Sequence, residues 1–239
     1  MQVPGRKAGT ARERLRAATL GSIGPAAADW LRAALDAADD PRAVDIAFGS
    51  APRRVDDVPV DAGDGRAPPD PLAGLDPPVR APEAARMLIA LAHAASDPDA
   101  PERLLRRADV GESRAIYRAL ALFPPGTRLD DAVARGLRTH ARPVFEAIAH
   151  DNPWPAAHLD EHRWNHLVLK ALFIESALAP IVGLDARANP TLARMLLDFA
   201  DERRAAGRKV PVELWRCALP FAPPARLAGH ALPPDAAAA

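Results

Sequence analysis

Cysteine is nearly absent from this 239-residue chain: Cys217 stands alone. One thiol can form neither an intrachain disulfide nor a cysteine-based zinc site, and such usage suits a reducing compartment. Net charge is absent too, with 31 basic residues balanced by 31 acidic ones. The electrostatic footprint of a nucleic-acid-binding domain is therefore missing. No apolar run approaches the roughly 18 residues that a membrane-spanning helix needs, and the best stretch, Leu167 to Ile174, is interrupted by Lys170. The segment Met1 to Leu20 is basic but carries no apolar core of the kind found in a secretory leader. The expected location is the cytoplasm, with no nucleic-acid partner and no membrane span. Glycine-rich phosphate loops and the GxSxG nucleophile pattern do not occur.

What is present in excess is alanine, 54 residues, and proline, 26 residues. Alanine is the strongest helix former, and its small side chain lets helices approach closely. No strand-length alternating run rich in β-branched residues is found. The prolines punctuate helices rather than break them at random: Pro25, Pro41, Pro190 and Pro211 sit where a first helical turn tolerates the missing N–H. The spacing of apolar residues predicts helices over 11–20, 26–38, from 41, over 82–95, 101–107, 112–123, 129–150 with a break near Pro143, 155–178, from 190 to before Gly207, and 211–218. The segment after Asn165 is apolar nearly all round, which marks it as the buried centre. The fold class is all-α, a compact array of about nine or ten helices whose pairs could stack like a short solenoid. A long Pro/Gly-rich loop near 51–81 interrupts it. Residues 1–219 form one helical domain in this reading, followed by a flexible Pro/Ala-rich tail over 220–239.

Few residues suggest chemistry. His158, His162 and His166 recur at i, i+4, i+8 and would lie near one face of a single helix. Two histidines at i, i+4 can share a zinc ion, but the third would be about 12 Å along the axis, and Leu159 stands where the helical zinc motif has glutamate. A structural role is the main reading and a metal set the alternative. Asp160 and Glu161 point about 100° apart on a helix and suit the helix dipole better than an acid–base pair. Cys217 reads as a small apolar filler. Lys170, one of only three lysines, interrupts an apolar segment; it either snorkels to the surface or is paired or ligand-facing with a depressed pKa. Arg53-Arg54 and Arg118 could grip an anion or form ion pairs. Asp185, Arg187 and Asn189 could order their own loop or meet a ligand, and Asn152-Pro153 reads as a turn.

The stretches Asn152-Pro153-Trp154-Pro155, Trp164-Asn165-His166-Leu167-Val168-Leu169-Lys170-Ala171-Leu172-Phe173 and Gly183-Leu184-Asp185-Ala186-Arg187-Ala188-Asn189, continued by 192–203, 205–208 and Glu213-Leu214-Trp215-Arg216, resemble the EboA-domain family. Looser similarity runs through 48–54, 108–112 and 117–120. The family pattern has glutamine at the position of His166, an aromatic at that of Arg204, and Gly-Lys after Pro52-Arg53. The resemblance implies a bacterial secondary-metabolite cluster with a UbiA-like prenyltransferase, a sugar-phosphate-cyclase-like enzyme, a TatD-like hydrolase and a sugar-isomerase-like barrel. Its product would be prenylated and cyclitol-like, or a pigment precursor moved toward the periplasm. No catalytic residues come with it. The expected role is an accessory protein binding a metabolite intermediate or a cluster-encoded partner enzyme, without a cofactor. The alternative is a cofactor-free lyase, isomerase or hydrolase using Lys170, with Arg118, Asn152, Asn165, Asp185 and Arg187 as ligand-binding candidates.

Overall fold

Helix starts fall where proline or a short acidic or hydroxyl side chain can serve the first turn. In the computed structural model, which describes residues 10–60 and 79–232, Thr10 and Glu13 form a reciprocal capping box at the head of α1 (Ala11–Ser22). Pro25 and Pro41 open α2 (Pro25–Asp36) and α3 (Pro41–Arg54). There follow α4 (Ala81–Ser96), α5 (Ala100–Leu105), α6 (Val110–Arg118), α7 (Asp130–Leu137), α8 (Arg142–Ala149), α9 (Trp154–His158), α10 (Glu161–Phe173), α11 (Pro190–Ala205), α12 (Leu214–Ala218) and α13 (Pro224–Leu227). Short 3-10 turns cover Leu120–Leu122 and Leu219–Phe221. The architecture is all-α: among the described residues the only β feature is an isolated antiparallel bridge, Pro59 to Arg80. The N-terminal residues 1–9, loop residues 61–78 and tail residues 233–239, on which parts of the sequence reading fall, lie outside the described residues.

The chain divides into two units, Met1–Asn152 and Pro153–Ala239, within what the sequence reading treats as one domain. In the first unit α1, α2, α3, α5 and α6 all pack on α4. The all-round buried helix is this one and not the 155–178 segment: from Ala84 to Leu91 every residue of α4 is buried. Alanine at 81, 84, 85, 90 and 94 removes side-chain bulk on several faces at once, so neighbouring helices can close in from several directions. Its two buried polar residues, His93 and Arg86, are hydrogen-bonded. Arg103 donates to His93 Nε2, which leaves the hydrogen on Nδ1 to be donated to the Ala38 carbonyl at 2.7 Å. Arg86 donates to the Phe48 carbonyl and meets Glu112 at 3.4 Å.

The expected loop near 51–81 begins later. α3 continues through Pro52 to Arg54, and Val60 N–H to Val79 O and Ala81 N–H to Val58 O pin the two ends of the loop together. Gly136 in α7 is required by close approach: a Cβ there would sit 2.5 Å from Ile148 and 2.6 Å from the Tyr117 ring. The Tyr117 hydroxyl donates to the Ala132 carbonyl, and burial pushes its pKa up to about 12.

In the second unit α11 packs against α10, α12 and the 219–221 turn. Its start and stop match the sequence reading: Asn189 accepts from Leu192 N–H, Pro190 takes the first turn, and Gly207 adopts φ 65° to close the helix. The expected helix over 155–178 is instead two. Leu159 is extended and Asp160 accepts from Arg163 N–H at 2.7 Å, so Asp160 starts a new helix. α10 then stops at Phe173 through the same kind of cap that ends α11, with Glu175 at φ 57° in the left-handed position and Ser176 N–H bonded to Ala171 O. Beyond Pro220, Arg226 bonds Asp198 and Asp201 of α11, and His230 lies edge-on to Trp215. No helix of the described residues is long and apolar enough to cross a membrane.

Candidate functional site

The residues nominated from sequence fall in both units. In the second, most converge on one loop. Trp164 and Asn165 are both on the buried side of α10. Asn165 and Asn189 exchange carboxamide hydrogen bonds, 2.9 Å from Asn189 Nδ2 to Asn165 Oδ1 and 3.3 Å in return. Asn189 Oδ1 also caps α11, and its Nδ2 also donates to Arg187 O. The Arg187 guanidinium lies 4.6 Å from the Trp164 ring centroid and donates to the carbonyls of Pro155 and Ala156. Gly183 enters the loop at φ 80°, where an added Cβ would meet Ala156 Cβ at 3.0 Å. Asp185 takes a two-pronged ion pair from Arg216 at 2.6 and 2.5 Å. That hydrogen bond, with the adjacent positive charge, holds the Asp185 carboxyl below its ordinary range despite the opposing effect of burial. The arrangement is a clasp: it fixes the 183–189 loop to α9 and α10 through groups that satisfy one another. The Trp164 indole N–H is buried with no hydrogen-bond partner among the described residues.

Arg118 and Asn152 belong to the first unit and are engaged there. Arg118 pairs with Glu83 at 3.0 Å, with only 8% of its side chain exposed, and Arg114 meets the other Glu83 oxygen. Buried Asn152 donates to the carbonyls of Tyr117 and Ala147, joining the ends of α6 and α8. Arg53 and Arg54 sit exposed in the last turn of α3.

Lys170 is half-buried on α10, and desolvation lowers its pKa. The same helix shows its outer face through His162, His166 and Phe173, the last 74% exposed. The three histidines do not share a helix, because the chain breaks at Leu159. His158 stacks on Trp154, while His162 and His166 face each other with ring centroids 4.2 Å apart. Among the described residues no group of three or more His, Cys, Asp or Glu side chains could hold a metal ion. Cys217 is buried, and burial pushes its thiol pKa up to about 11, away from the thiolate form a nucleophile needs.

A groove in the first unit has no counterpart in the sequence pattern. α1 and α2 both lie on α4, and a groove of about 430 Å³ runs there. Leu35, Leu88 and Ala92 supply its apolar surface, Arg12 and Arg16 its cations, Glu13 and Asp36 its acids, and Thr10 a hydroxyl. The i, i+4 spacing of Arg12 and Arg16 on α1 is visible in the sequence, but that neither pairs with another described residue is a tertiary property.

No curated protein and no solved structure matches the chain. Residues 17–219, which hold the clasp and the α2 and α4 side of the groove but not Arg12 or Arg16, match the family model described as metabolite traffic protein EboA, and the chain belongs to that family.

Proposed function

We propose that the protein is a non-catalytic accessory component of a bacterial secondary-metabolite pathway, cytoplasmic and cofactor-free, which binds a pathway intermediate or a partner enzyme encoded with it. The pathway would make a prenylated cyclitol-like compound or move a pigment precursor. One observation carries the reading: Asn165, Asp185, Arg187 and Asn189 are hydrogen-bonded to one another, to Arg216 or to backbone carbonyls. Residues held in this way position the chain, whereas a catalytic constellation aims several polar groups at a shared concave space. The family description, metabolite traffic protein, supports the same role.

The test uses the purified protein and a deletion strain. A pathway intermediate should raise its melting temperature, or a cluster-encoded protein should copurify with it; the absence of both overturns the reading. The second reading, an enzyme using Lys170 as base or electrostatic stabiliser, is favoured by the lowered pKa of that residue. Lys170→Ala separates the two. Restored product formation in the deletion strain supports the accessory role, and its loss with folding intact supports the enzyme.

A further inference from the structure

Resting on the accessory reading above, we propose that the groove between α1 and α2 on α4 is the metabolite site, and that its ligand is a small amphipathic anion bearing a phosphate or carboxylate, a compact apolar body and a hydroxyl. The groove's volume, about 430 Å³, falls in the range of small-molecule clefts. Arg12 and Arg16 stand one turn apart on the same face of α1, so their guanidinium groups can converge on one anion. Neither forms an ion pair or side-chain hydrogen bond with another described residue. Glu13, between them in sequence, is committed to the capping box: it accepts from Thr10 N–H at 2.7 Å while its own N–H donates to Thr10 Oγ1. Glu13 and Asp36 also line the groove, but no ion pair ties either of them to Arg12 or Arg16 among the described residues, so both guanidinium groups keep donors that an anionic ligand can take up.

The rest of the groove defines the ligand further. Leu88 and Ala92 are one turn apart on α4, and Leu35 comes from the end of α2. Together they present an apolar surface that would strip water from a ring or short branched chain. Asp36 is exposed and unpaired with either arginine. A carboxylate there accepts hydrogen bonds only, so it repels a second anion and favours a hydroxyl. Inorganic phosphate satisfies the arginines alone, and a neutral alcohol satisfies only the apolar surface and Asp36.

Isothermal titration calorimetry on the full chain tests the assignment with cyclohexyl phosphate, inorganic phosphate and cyclohexanol. Cyclohexyl phosphate should bind saturably at one site, more tightly than either of the others, and less tightly as salt rises. The double substitution Arg12→Ala/Arg16→Ala should weaken it by about tenfold or more. Ala92→Phe, which fills the floor, should weaken cyclohexyl phosphate and leave the response to inorganic phosphate unchanged. Arg53→Ala/Arg54→Ala, removing two exposed arginines elsewhere, should leave binding intact. No saturable binding of cyclohexyl phosphate at millimolar concentration, or equal affinity in the Arg12/Arg16 variant, overturns the site. That failure would leave the accessory reading standing on a copurifying partner enzyme. Conversely, Lys170-dependent turnover of an intermediate would overturn the accessory reading while the groove's affinity for cyclohexyl phosphate stayed measurable.

Discussion

Arginine occupies two contrasting settings in this molecule. In the 183–189 loop, Arg187 lies on Trp164 and donates to two backbone carbonyls, beside a carboxamide pair that also caps α11. At the α1–α2–α4 groove, Arg12 and Arg16 flank an open volume and have no partner among the described residues. The first guanidinium acts on its own chain. The other two have their donors available to something else. The stretches by which the chain resembles its family include residues of the first kind, and in this structure those residues hold a loop. The contrast is testable: changes in the clasp should cost stability, and changes in the groove should cost binding.

The largest effect expected is that of Trp164→Ala. The indole is fully buried and carries Arg187 on its face, so truncation leaves a cavity and an arginine without its support. A loss of about 3–5 kcal/mol follows from large-to-small core substitution, read from urea unfolding followed by circular dichroism. Asn165→Ala should cost less, about 1–3 kcal/mol, because it leaves the Asn189 carboxamide short of a buried partner while the cap on Leu192 N–H persists. The two residues are neighbours in one network, so the double variant should lose less than the sum. A cost below about 0.5 kcal/mol for both, the level of an ordinary surface change, would show that the clasp does not hold this unit together.

The two settings also differ in how far they could be read from sequence. Asn189, Pro190 and Gly207 announce α11 because each acts within one turn of its own position. The end of α10 used the same capping geometry with Glu175 in the left-handed position. Without glycine as a signal, the apolar run carried the expected helix on to 178. In the sequence Asp160 has the look of a first-turn acid of a long helix, although it is the cap of a new one. The central role of α4 was hidden because alanine looks neutral in a hydrophobic pattern; only packing on several sides reveals it. Asn165, Asp185 and Arg187 stand among the ligand-binding candidates of the sequence together with Arg118, Asn152 and Lys170, but the bonding that joins the first three to one loop, over separations such as the 24 residues from Asn165 to Asn189, depends on the turn at Gly183. Arg12 and Arg16 looked like any helix surface until a cavity appeared beside them.

A smaller effect belongs to the exposed edge of the clasp. Asp185 and Arg216 are geometrically well matched but 63% and 46% exposed, so Arg216→Ala should cost only about 0–1 kcal/mol. Its sign with pH is fixed. The Asp185 pKa is lowered in the folded state, first by the hydrogen bond from Arg216. The pair therefore stabilises above the carboxyl's ordinary value of 3.8 and loses that contribution as pH falls from there through the lowered folded value. Urea midpoints of the wild-type protein and Arg216→Ala should differ slightly at pH 7 and converge near pH 2. A difference that persisted or grew in acid would place the contribution elsewhere.

The smallest effect on stability is expected where the effect on binding is greatest. Arg12→Ala/Arg16→Ala removes no ion pair within the described residues and relieves repulsion between like charges one turn apart. Alanine is also the better helix former. The unliganded variant should melt within about 0.5 kcal/mol of wild type, in either direction. A ligand that binds only the folded protein stabilises it by mass action, about 2.7 kcal/mol at a hundredfold excess over Kd. Cyclohexyl phosphate should therefore raise the melting temperature of the wild-type protein and of Arg216→Ala alike, while the Arg12/Arg16 variant should lack that rise from an unchanged baseline. Were the arginine variant instead destabilised as much as Asn165→Ala, the groove would be a second clasp, and the division between residues that fold the chain and residues that serve a ligand would fail at the point where it is drawn most sharply.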